Sequence, residues 1–139
     1  AIVGQAGIAL YTVGAIKEIP SIRNYVCIDG GISDNVRPTF YGAKHEAVVA
    51  NKALEAEETL VTIAGKLCES GDILVRDTTL ASVSPGDIIA IPVCGAYSIP
   101  MWSNYNALPK PAIVMVEEGR ARLIRRRESY QDLMRLDAI

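Results

Sequence analysis

The chain has 139 residues, half of them apolar, with 22% charged residues and a formal net charge of −2. That suffices for one domain with its own core, and it leaves no clustered positive charge for a polyanion-binding surface. Three dispersed cysteines, no Cys-x-x-Cys pair and a single histidine provide no ligand set for zinc. Reduced thiols in a cytoplasmic protein are the expectation.

No segment reaches the ~20 apolar residues of a membrane-spanning helix. Residues 1–7 lack both an initiator methionine and the basic flank of a signal peptide, so the chain reads as cut from something longer. Short apolar runs then alternate with turn formers. Strands are predicted at 23–28, 58–64, 73–76, 88–93, 112–116 and 121–125. Ser84-Pro85-Gly86-Asp87 suits a type II turn, and Glu117-Glu118-Gly119-Arg120 the tip of a hairpin. Residues 43–56 have helix-forming composition, yet His45-Glu46-Ala47-Val48-Val49 also reads as a strand. Tyr130, Leu133 and Met134 stand at helical spacing, which predicts one helix near 129–136. The spacing of the runs favours a β-sandwich or barrel.

Arg125-Arg126-Arg127 is the single basic run, and it reads as a solvated strand end or a partner for nearby carboxylates. Two other strings carry more chemistry. In Arg37-Pro38-Thr39-Phe40-Tyr41, a guanidinium able to fork onto a carboxylate precedes a phenol by four residues. Pro38 is expected to hold the residue before it away from helix. Spacing alone also allows a surface arginine and a half-buried tyrosine.

In Cys68-Glu69-Ser70-Gly71-Asp72, the turn formers predict a loop tip that exposes the thiol and the neighbouring carboxylate. An exposed thiol in a cleft is a competent proton donor, and a glutamate beside it can hold an ammonium group. A lone cysteine is more often a small buried hydrophobe, the reading kept for Cys27 and Cys94. Gly95-Ala96-Tyr97 follows a strand, and its small residues are expected to let a ligand approach the backbone. The polar-aromatic stretch from Met101 to Asn106 suits a loop that caps a barrel mouth. His45 has no partner in the sequence and reads as a satisfied structural histidine.

Asp29-Gly30-Gly31, Arg37-Pro38-x-x-Tyr41, Cys68-Glu69-Ser70-Gly71-Asp72, Gly95-Ala96-Tyr97 and Ser103-Asn104-Tyr105-Asn106 occur in this order. Together they resemble the C-terminal domain of the diaminopimelate decarboxylases, over most of the chain. The resemblance implies a mainly β domain with Greek-key character and one C-terminal helix, spanning 1–139. It also implies an N-terminal TIM-like barrel, absent from this sequence, that carries pyridoxal phosphate (PLP) on a lysine. It favours the strand reading of 45–49.

The resemblance further implies that Arg37 and Tyr41 bind substrate, that Cys68 donates a proton and that Glu69 binds substrate. Tyr97 would contact both substrate and cofactor. The substrate would be meso-diaminopimelate and the product lysine. Cys68 and Glu69 would serve the neighbouring subunit of a homodimer. None of the five lysines lies in a motif for holding the cofactor covalently, so this stretch alone is expected to be inactive.

Cys94 departs from the family, where threonine is common, and so does 98–102, which places the loop beyond Tyr97 in question. Decarboxylases of ornithine, arginine or carboxynorspermidine are the nearest alternative, and Glu69 argues against them. A free-standing, non-catalytic β-domain that binds an amino acid or a partner protein is the alternative of another class.

Overall fold

The computed structural model describes residues 2–138. Its backbone is β1, Ala9–Ile19, an eleven-residue strand that serves two neighbours in turn. Residues 9–12 pair antiparallel with β6, Ile88–Ile91. From Val13 onward the strand pairs antiparallel with β2, Arg23–Ile28, with a bulge between Val13 and Ala15. Gly14 is the extra residue, and the unpaired residue there bends the strand just past its change of partner.

β3 (Val48–Val49) pairs with β6. β4 (Thr59–Ala64) runs parallel to β2 and antiparallel to β5 (Ile73–Leu80). The order is β3-β6-β1-β2-β4-β5, so sequence neighbours are not always sheet neighbours. Its ends, β3 and β5, do not pair with each other, which leaves a barrel-like sheet open at one seam. The expected mainly β, Greek-key-like class is what the chain adopts.

The inward side chains are those the strand period selects. Val26 and Ile28 point inward from β2, and Val61 and Ile63 from β4. Leu74, Leu80, Ile89 and Ile91 join them, all essentially inaccessible to solvent. Each such side chain contributes about 2 kcal/mol of burial.

A separate hairpin follows, of β7 (Ile113–Glu117) and β8 (Arg120–Arg125). Glu118 and Gly119 both have positive φ, 48° and 74°, as its predicted two-residue tip requires. Both strands are exposed almost throughout, unlike every strand of the larger sheet.

Several expectations need correction. β1 was not anticipated as a strand, and β5 runs four residues beyond the predicted 76. One helix was expected, and there are two short ones. α1 spans Arg37–Tyr41 and α2 spans Tyr130–Met134, the latter within the predicted 129–136. Pro38 does not keep Arg37 out of helix, because proline is compatible with the first turn, where its missing N–H has no intrahelical partner anyway. Between 43 and 56 there is no α-helix, only β3 and a short 3-10 turn at Ala50–Lys52.

The turn at 84–87 forms as predicted, with the Asp87 amide donating to the Ser84 carbonyl at 3.1 Å and Gly86 at φ 92°. Ser129 caps α2 in a reciprocal capping box with Asp132. The basic run behaves as a carboxylate partner: Arg126 forks onto Asp132 at 2.6 and 2.7 Å, and Arg125 reaches Glu128 at 4.0 Å.

Candidate active-site rim

α1 begins where the loop after β2 has been pinned by hydrogen bonds. Asp29 Oδ1 accepts from the Thr12 amide at 2.8 Å, and the Asn35 amide donates back to the Gly31 carbonyl at 3.1 Å. The helix ends at Gly42, which is left-handed at φ 61°. In this single turn Arg37 and Tyr41 share a face. The Arg37 guanidinium lies 6.0 Å from the centre of the Tyr41 ring and 5.1 Å from that of Tyr97. Both distances lie within cation–π range.

Arg37 is half-buried, and among the described residues no carboxylate stands within ion-pair distance of it. A guanidinium between two aromatic rings and lacking an anion is a carboxylate or phosphate receptor in waiting.

The Cys68 loop is fastened to the same helix. Thr39 Oγ1 donates to the Gly71 carbonyl at 2.7 Å. Cys68, Glu69 and Ser70 are exposed, as the turn formers predict. Glu69 Oε1 accepts from the Gly71 amide and the Ser70 hydroxyl, both at 3.3 Å, which holds its carboxylate on the loop.

Beneath the loop, Asp72 is only 3% exposed. One of its oxygens accepts from the Ile32 amide at 2.7 Å and the other from the Leu67 amide at 2.8 Å. Burial pushes its carboxyl pKa up, with the two amides pulling the other way. A Cβ on Gly31 would stand 2.7 Å from both Asp72 oxygens, so that position must be glycine for the carboxylate to enter. Asp72 therefore joins the loop after β2 to the Cys68 loop.

Tyr97 arrives from another direction, beyond β6, at φ 67°, with its side chain exposed. The small residues before it do not serve as predicted. A Cβ on Gly95 would overlap the carbonyl oxygen of Val3, because the N-terminal segment crosses there. The Cys94 amide donates to Gly7 at 2.8 Å and the Gly95 amide to Gly4 at 3.0 Å. The chain itself, not a ligand, takes up the room that glycine leaves.

Arg37, Tyr41 and Tyr97 thus converge, and Thr39 ties the Cys68–Glu69 loop to their helix. Thr39 and Asp72 were not singled out from sequence. The only available signal was their place inside the two motifs, since their partners lie 32 and 40 residues away. His45 is satisfied as expected, with its ring nitrogens 3.3 Å from the Pro92 carbonyl and 3.4 Å from Asn35. Cys94 is buried as expected, but beyond the end of β6 rather than within it, whereas Cys27 is half-buried within β2. In the capping loop, the Ser103 amide donates to Ser33, and Asn104 binds Glu128 at 2.7 Å.

Residues 2–95 match the model of the pyridoxal-dependent decarboxylase C-terminal sheet domain. The chain belongs to that family. Diaminopimelate decarboxylase of Bacillus subtilis (strain 168) is 52% identical over 136 residues, which are 98% of this chain and 31% of that protein. Its counterpart in Staphylococcus aureus (strain COL) is 51% identical over 134 residues, 96% of this chain and 32% of that one. Among solved structures, diaminopimelate decarboxylase from M. jannaschii in co-complex with L-lysine superposes with a TM-score of 0.91 at 41% identity. The match covers 98% of this chain and 31% of that chain. This family member thus spans about a third of the length of the relatives it matches.

Among the described residues no helix is long and apolar enough to cross a membrane, and no three or more His, Cys, Asp or Glu side chains gather as a metal site would need.

Proposed function

We propose that this chain is the C-terminal domain of a two-domain, PLP-dependent diaminopimelate decarboxylase, which converts meso-diaminopimelate to L-lysine and carbon dioxide. The observation that carries the reading is the half-buried Arg37 guanidinium, flanked by Tyr41 and Tyr97 and free of any anion among the described residues. The donors gathered there fit the anionic groups of such a reaction. Arg37 suits a carboxylate, and the exposed Tyr97 phenol suits a cofactor phosphate oxygen or the substrate beside it. When bound, the cofactor supplies a sink for the electron pair left as carbon dioxide departs.

The chain's own residues do the rest. Arg37 grips a carboxylate that stays on the product, since gripping the departing one would oppose its loss. Tyr41 and Tyr97 flank the guanidinium at cation–π distance and hold it toward that carboxylate. The Cys68 thiol delivers a proton to the carbon that has lost carbon dioxide, and the thiolate is restored from solvent. Glu69 holds a substrate ammonium group. Cys68 and Glu69 stand exposed on a loop that projects from the domain, a placement suited to completing a neighbouring subunit's site in a homodimer. The free cysteines accord with a reduced, cytoplasmic setting.

The full-length protein, supplied with PLP, tests the reading through carbon dioxide release from meso-diaminopimelate, ornithine, arginine and carboxynorspermidine. Turnover of meso-diaminopimelate alone is expected. Activity confined to any of the other three would overturn the assignment.

A further inference from the structure

Arg37 and Tyr97 belong to segments 60 residues apart, yet their side chains meet. One buried polar cluster spans the gap. Asn35, two residues before Arg37, is only 1% exposed. Its Nδ2 lies 3.4 Å from His45 Nε2 and 3.9 Å from Cys94 Sγ. His45 Nδ1 lies 3.3 Å from the Pro92 carbonyl, and Cys94 Sγ donates to the Ile91 carbonyl at 3.4 Å.

The proton positions follow from these partners. A carbonyl only accepts, so Nδ1 of the neutral ring carries the proton, and Nε2 accepts from the Asn35 amide. Asn35 and His45 bracket α1 on either side, and both grip the strand end that leads to Tyr97.

That strand end is strained. Val93 and Tyr97 sit at φ 61° and 67°, a region unfavourable for β-branched and aromatic side chains. Such a segment keeps its shape only where surrounding contacts impose it. Asn35 Oδ1 has no protein hydrogen-bond partner among the described residues, so the Nδ2 side of the amide makes the contacts of the cluster. The net stability from such buried hydrogen bonds is modest, whereas their directionality fixes the groups they join, so the chief effect of the cluster is on geometry.

We propose that Asn35 and His45 are positioning residues. They hold the Arg37 helix and the Tyr97 loop in register, and so set the affinity of the Arg37 site for the retained carboxylate. The inference rests on the decarboxylase reading above.

The test is a double-mutant comparison in the full-length protein. Asn35→Leu keeps the volume of the side chain and removes its hydrogen bonds. It is expected to raise both the KM for meso-diaminopimelate and the Kd for L-lysine by about tenfold, with kcat held within about threefold. On an Arg37→Ala background the same change is expected to move both constants by less than about twofold, because the interaction it serves is already gone.

Equal increases with and without Arg37, or a lower Tm with unchanged KM and Kd, would overturn the proposal. Should Asn35→Leu not fold, the half-buried His45 allows the same comparison through His45→Ala, and failure of both to fold would make the pair purely structural. A wild-type protein inert toward meso-diaminopimelate overturns the function and this inference together. An active wild type with additive changes overturns the inference alone.

Discussion

The rim and the layer beneath it differ in kind. Cys68, Glu69, Tyr41 and Tyr97 are exposed, and their contacts to the rest of the chain are few. Asp72, Asn35 and Gly31, directly below, are buried and closely fitted by their neighbours. A rim side chain can therefore be changed without disturbing the core, whereas a change below it alters the frame that aims the rim. Activity and stability should separate along that boundary.

The largest effect expected at the rim is that of Cys68→Ala in the full-length protein. If Cys68 has the proposed proton-donor role, its loss lowers kcat by about 100-fold or more, while Tm and the affinity for L-lysine stay close to wild type. Equal losses in turnover and binding, at unchanged Tm and oligomeric state, would assign Cys68 to binding instead.

One layer down, Asp72→Ala strands the Ile32 and Leu67 amides and is expected to cost about 3 kcal/mol of stability. Urea unfolding measures it. A loss of activity at unchanged stability would move Asp72 to the rim side of the division.

The smallest effect lies farther from the site and is read in acid. Asp87 accepts from Lys52 Nζ at 2.7 Å, Asn51 at 2.8 Å and the Ser84 amide at 2.7 Å, and these donors lower its carboxyl pKa, Lys52 foremost. A depressed folded-state pKa contributes stability above the unfolded value of about 3.9, and that stability is lost as pH falls through the folded value. Asp34 and Asp72 run the other way. Their folded pKa values are raised, mainly by burial, so the fold is relieved of a buried charge as they protonate. Asp87→Asn should therefore make Tm less sensitive to acid below about pH 4. An unchanged slope would show that other carboxylates govern the acid limb.

What could be read from sequence follows the same boundary. Strands rich in β-formers and closed by glycine, such as Arg23–Ile28, and turns marked by glycine, at Ser84–Asp87 and Glu117–Arg120, are local patterns and were legible. The rim motifs stood out because arginine, cysteine and tyrosine among turn formers are unusual in a core. β1 was not, because Gly14 interrupts its alternation at the bulge and Lys17 and Glu18 lie on an exposed stretch. α1 was obscured by Pro38, whose bias on its predecessor gave way to its compatibility with a first helical turn. The layer below was hidden altogether. Asn35 meets Cys94 59 residues on, and Asp72 meets Ile32 40 residues back as well as nearby Leu67, so local sequence does not announce either long-range link.

The crossing of the N-terminal segment over Gly95 bears on how this domain can be trimmed or fused. Val3 to Gly7 provides two of the backbone hydrogen bonds that hold the run into Tyr97. A domain boundary drawn at Ala9, where the first strand begins, would look tidy and would cut that clasp. A seam for grafting therefore lies upstream of Val3, and a segment fused there would be mechanically joined to the loop that carries Tyr97.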